Sequence, residues 1–120
     1  MISGFNTLEK EKVIEHTENS VSLEFTIPPS NLYFDGHFPG FPILPAVAQT
    51  ELVVRFASRY LGTNIALSGI KKMKFLKLIR PSFSLLLKIQ KNKNGIGFIL
   101  CSPQDEQIVY SQGTINPAVI

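Results

Sequence analysis

The sequence predicts an α+β domain in which one antiparallel sheet wraps around a single long helix. Three observations lead there. Only one stretch, Ala46–Leu61, carries a sustained helical pattern of apolar residues. The stretches on either side alternate, or run apolar, over strand-like lengths and are bounded by Pro, Gly, Asn and Asp. The last three of them are joined by tight turns, which suit antiparallel neighbours.

Residues 11–17 read as a first strand with moderate alternation. Asn19-Ser20 signals a turn, and residues 21–27 alternate cleanly with period two. Pro28-Pro29-Ser30 ends that strand, because proline cannot continue the hydrogen-bond ladder. The pair forms a hairpin. Residues 30–45 are loop, and Pro45 suits the first turn of a helix, where its missing N–H is not needed. On a helical wheel Val47, Val53, Val54, Phe56, Ala57, Tyr60 and Leu61 form a broad apolar arc. Glu51, Arg55, Ser58 and Arg59 form a narrower polar stripe, and Gly62 supplies the stop. So wide an arc predicts a mostly buried helix whose polar seam faces a cavity, a tunnel or a partner subunit. Four β-like stretches follow, at about residues 65–79, 82–90, 95–102 and 107–115.

The bulk composition narrows the classes. A chain of 120 residues is one domain, 1–120, and a hydrophobic share of 44% with 18% charged residues fits a soluble globular protein. No window offers the roughly 18 apolar residues of a membrane span. The first residues, Met1-Ile2-Ser3-Gly4-Phe5-Asn6, lack the basic start and apolar core of a signal peptide, so a cytoplasmic protein is expected. The single cysteine, Cys101, lies in an apolar run and is expected to be a buried strand residue rather than a nucleophile. Two histidines and one cysteine supply no metal-ligand cluster. The net charge of +3 is modest, and the densest basic stretch is Lys71-Lys72-Met73-Lys74-Phe75-Leu76-Lys77-Leu78-Ile79-Arg80. Its alternation points to a strand with one wet, basic face. Nucleic acid, an acidic protein or a phosphate-bearing cofactor would each suit that face.

The chemistry concentrates between residues 34 and 51. His37 carries the side chain whose ordinary pKa lies nearest working pH, which suits a general base. An isolated loop histidine more often packs or caps a turn. Here Gly36 and Gly40 allow close backbone approach, Pro39, Pro42 and Pro45 stiffen the loop, and Phe38 and Phe41 can exclude water. A rigid, apolar mount is what a catalytic base needs. Glu51 follows fourteen positions after His37. It also stands four residues before Arg55, the favourable order for a helix-surface ion pair. The helix start favours its ionised form and burial its protonated one. Free N–H groups around Ala46 and Val47 are a third candidate, for holding a carbonyl oxygen as charge builds on it. His16 lies on a strand pattern and reads as structural or exposed.

The run Gly36-His37-Phe38-Pro39-Gly40-Phe41-Pro42-Ile43-Leu44-Pro45, with an acid fourteen positions after the histidine, resembles the hotdog-fold 3-hydroxyacyl-(acyl-carrier-protein) dehydratases. The stretch Lys74-Phe75-Leu76-Lys77-Leu78-Ile79-Arg80-Pro81 resembles that family's strand ending in Arg-Pro. The resemblance implies a hotdog fold and a homodimer, or an assembly of dimers, whose sheets join. It implies that His37 of one chain faces Glu51 of the other. His37 would take the α-proton of a 3-hydroxyacyl thioester, Glu51 would help expel the 3-hydroxyl as water, and the Ala46 N–H would hold the thioester oxygen. No metal or redox cofactor is implied. The acyl chain would ride on the phosphopantetheine arm of acyl carrier protein, an acidic partner for the basic strand, rather than nucleic acid or a membrane.

Three departures from the family pattern stand out. Ala46 replaces the glycine after the last motif proline, and Arg55 replaces a frequent glutamine four residues after the acid. The N-terminal Pro-His-Arg-Tyr-Pro segment of the housekeeping enzymes is missing from these residues, so the chain is more similar to the short dehydratases of aryl polyene and related specialised lipid pathways. Two rivals remain, a hotdog acyl thioesterase and a non-catalytic module that binds acyl chains or their carrier.

Overall fold

The computed structural model describes residues 8–29, 34, 43–63, 71–93 and 95–116, with only the backbone for Lys71. Within these, the chain runs β1 (Glu9–His16), β2 (Ser20–Thr26), α1 (Ala46–Leu61), β3 (Lys71–Phe75), β4 (Ser84–Asn92), β5 (Gly95–Cys101) and β6 (Val109–Ile115). The strands form one sheet in the order β1-β2-β4-β5-β6-β3, antiparallel at every pairing. The α+β expectation holds.

Period-two alternation decides which face of the sheet is dry. On β2, Val21, Leu23, Phe25 and Ile27 point inward and are buried, while Ser22, Glu24 and Thr26 between them are only partly so. Register places Val21, Leu23 and Phe25 beside Ile89, Leu87 and Leu85 of β4. Ile96, Phe98 and Leu100 of β5 continue that surface. The helix lays Leu52, Val53, Phe56 and Ala57 against it, with the Phe56 ring 5.6 Å from that of Phe25. Each fully buried side chain of this kind contributes about 1.5–3 kcal/mol. Together they fix the helix across the sheet.

Local punctuation sets the helix ends. Pro45 is the N-cap, in extended conformation, and Gly62 adopts the left-handed conformation (φ 64°) and donates its N–H to the Ala57 carbonyl. The helix bounds coincide with the expected ones. Its buried face does not. Val47, placed on the apolar arc, is 62% exposed, whereas Gln49 and Thr50 are buried. The inner face is centred on the row of Gln49, Val53 and Ala57, and Val47 falls outside it.

The edges of the sheet differ from the sequence reading in extent. Of the β-like stretch at 65–79, residues 64–70 lie outside the described residues, and the strand itself ends at Phe75. Leu76 and Lys77 both donate to the one Tyr110 carbonyl, so the regular ladder stops there. Leu76 and Leu78 then project into solvent. Strand β1 is exposed along its whole length and its ladder carries two register shifts. It is tied to the helix from the side: His16 Nε2 donates to the Tyr60 carbonyl at 2.8 Å, and Glu11 pairs with Arg59 at 3.2 Å. His16 is therefore structural. Cys101 is buried and free, and burial pushes its thiol pKa up.

Candidate active site

The described part of the site is the entry into α1. Leu44 is buried and donates its N–H to the Ile79 carbonyl at 2.8 Å, which ties the end of the proline-rich loop to the segment after β3. Pro45 offers no side-chain cap, and its carbonyl accepts from the N–H groups of Ala48 (3.1 Å) and Gln49 (3.2 Å). The N–H groups of Ala46 and Val47 therefore precede the first intrahelical donor and have no acceptor within the exposed helix start. The helix begins where the sequence reading placed it, with alanine rather than glycine as its first residue.

Glu51 lies in the second turn of α1 and is half-buried. Among the described residues its carboxylate makes no hydrogen bond or ion pair. Between described residues the ion pairs are Arg59–Glu11 and Lys88–Glu106, so the alternative of a Glu51–Arg55 surface pair is not realised. The Arg55 guanidinium instead stands 5.8 Å above the centre of the Phe56 ring. His37, Phe38, Gly40 and Phe41 lie outside the described residues.

Two further residues shape the same turn. Gln49 donates from Nε2 to the Leu44 carbonyl at 3.2 Å, and Thr50 Oγ1 donates to the Ala46 carbonyl at 3.1 Å, with Met73 Sδ 3.6 Å away. Sequence reasoning missed both. The available signal was spacing, because Gln49 lies four and eight residues before Val53 and Ala57. A trough of about 960 Å³ lies elsewhere, lined by Lys72, Lys74, Lys88, Ile99 and Gln112 and by no residue of α1. It belongs to the wet face of the sheet and gathers none of the candidate catalytic residues.

Residues 13–114 match the ApeI-like family, described as ApeI dehydratase. The chain belongs to this family. Among solved structures it is similar to a chain of the dehydratase heterocomplex ApeI:P from Xenorhabdus doucetiae, at 30% identity and a TM-score of 0.76. That match covers 92% of this chain and 99% of the other. Among relatives by sequence, 3-hydroxyacyl-(acyl-carrier-protein) dehydratase FabZ of Lactiplantibacillus plantarum is 35% identical over 78 residues, 58% of this chain. The chain spans about half the length of that relative, 53%. A hypothetical thioesterase from Streptococcus pneumoniae superposes with a TM-score of 0.63 at 13% identity, covering 89% of this chain and 86% of the other. At that identity only the hotdog fold is shared. Membership of the ApeI-like dehydratases accords with the hotdog architecture of the sheet and helix.

Proposed function

We propose that this ApeI-like chain dehydrates a 3-hydroxyacyl thioester carried on acyl carrier protein, giving the trans-2-enoyl thioester. The observation that carries this reading is Glu51, half-buried and unpaired among the described residues, on the helix that begins directly after the His37 loop. A half-buried carboxyl group with no hydrogen bond or ion pair among the described residues is available to act on a leaving hydroxyl. His37 removes the α-proton, the C2–C3 double bond forms, and the C3–O bond breaks as Glu51 protonates the departing hydroxyl to water. The N–H groups of Ala46 and Val47 stabilise negative charge on the thioester oxygen during proton removal. The reaction is redox-neutral and uses no cofactor beyond the phosphopantetheine arm that carries the substrate.

A second chain completes the site in this reading. The sheet edge at β3, which has no outer neighbour among the described strands, together with exposed Val47, Phe75, Leu76 and Leu78, supports an assembly in which sheets join and His37 of one chain faces Glu51 of the next. The partner is a second copy or, as in the ApeI:P heterocomplex of Xenorhabdus doucetiae, a different chain. Exposed Lys72 and Lys74 suit the acidic carrier. Among the described residues no helix is long and apolar enough to cross a membrane, which accords with a cytoplasmic enzyme.

Incubation with 3-hydroxyacyl and with saturated acyl thioesters tests this. Enoyl product from the first supports dehydration, and free thiol from the second supports a thioesterase instead. His37→Ala and Glu51→Gln should each abolish enoyl formation while the assembly stays intact by size-exclusion chromatography. Retained turnover in His37→Ala refutes the assignment.

A further inference from the structure

Gln49 is 4% exposed, and its side chain does what an apolar residue of the same length would not. Its backbone N–H donates to the Pro45 carbonyl and its Nε2 to the Leu44 carbonyl, each at 3.2 Å. One residue therefore grips the two successive carbonyls through which the chain enters α1. The amide orientation follows from chemistry, since the Leu44 carbonyl can only accept and must face Nε2. Oε1 is turned away, buried and without a hydrogen-bond partner among the described residues. A buried acceptor left unsatisfied weakens a fold, and each such group calls for an explanation. A local rule broken next to a candidate site points to function there.

Leu44 is held on its other side by Ile79, so it is fixed between the helix and the segment after β3. Downstream, the same carbonyls set the axis of the turn that bears the Ala46 and Val47 N–H groups and then Glu51.

We propose that Gln49 is a positioning residue which, by holding the Leu44 carbonyl with its side chain, sets the entry into the helix that presents the Ala46 and Val47 N–H groups and Glu51. This role rests on the dehydration reading above. Gln49→Met keeps the side-chain length and the backbone bond to Pro45, and removes both the side-chain bond to Leu44 and the unsatisfied acceptor. Its expected result is a kcat lowered roughly 10- to 100-fold, the scale of a misplacement of about 1 Å. KM should stay within about two-fold, as for an interaction made in the transition state. The melting temperature should stay within about 3 °C of wild type or rise, because the lost hydrogen bond and the removed unsatisfied acceptor oppose each other.

Gln49→Glu gives an independent readout. Deprotonated, its carboxylate only accepts and cannot bond the Leu44 carbonyl; protonated, it regains the donor. The ratio of its kcat to that of wild type should therefore rise as pH is lowered. A kcat for Gln49→Met within about two-fold of wild type overturns the proposal, and so does a ratio for Gln49→Glu that is flat with pH. A melting temperature lowered by more than about 5 °C in Gln49→Met overturns it as well, since Gln49 is then a stability residue. Wild-type protein that forms no enoyl product sinks the dehydration reading itself, and this role with it.

Discussion

Replacement of Gly113 by alanine tests the packing that holds β3 on the sheet. Gly113 lies on β6 with its Cα facing Met73 across the pair, and β3 has no other neighbour among the described strands. A Cβ built there runs into the Lys72 carbonyl oxygen and sits 2.8 Å from both Cα and Cγ of Met73. Ordinary contact begins near 3.4 Å, so the strand must move by more than half an ångström. Met73 Cγ can rotate away, but the Lys72 oxygen and the Met73 Cα are backbone and cannot. The relief available is to pull β3 off β6, along a ladder from Lys71↔Ile115 to Phe75↔Ser111. That places the loss at the upper end of overpacking, about 3 kcal/mol. For a chain of this size each kcal/mol lowers the melting temperature by roughly 4 °C, so a fall of about 12 °C is expected. Gly97→Ala on β5 is the control, because its nearest neighbour would be the Gln90 carbonyl at 3.9 Å. Thermal unfolding followed by circular dichroism reads both, and amide exchange should rise in β3 only for Gly113→Ala. A Gly113→Ala protein that melts within about 2 °C of wild type would refute the reasoning, as would an equal loss in Gly97→Ala.

Two further outcomes follow from burial. Phe56 is fully buried against Phe25 and Tyr60, so Phe56→Ala should lower unfolding free energy in urea by about 3–5 kcal/mol, and a loss below about 1 kcal/mol would contradict its place in the core. Cys101 is buried with its thiol pKa raised by desolvation, so at pH 8 a thiol reagent should label the native protein at least about ten-fold more slowly than it does in urea; equal rates would show that the β5 end is open.

Much of this molecule was legible because some signals act over only a few residues. Pro45 and Gly62 end the helix by their own backbone geometry, and no distant part of the chain can move those ends. The alternation of β2 named its dry face for the same reason, since side-chain direction follows from the pleat. At the candidate site the helix start at Ala46 and the place of Glu51 on its second turn were equally local. The partners of Glu51 were not: Arg55 was in reach by spacing, yet its guanidinium lies over Phe56.

Other features existed only once surfaces met. Connections between strands do not say which strand lies beside which, and β3 joins the sheet next to β6, at the far edge from β1. That position leaves Leu76 and Leu78 in solvent, although their pattern alone reads as strand. The wheel of α1 gave a broad arc but not its centre, because the centre depends on where the helix touches the sheet. Docking turned Gln49 and Thr50 inward and Val47 outward, so the entry to the site is built on polar groups where apolar ones were expected. Period and punctuation are written into the chain residue by residue; register, edge and contact belong to pairs of distant segments and are decided only by tertiary packing.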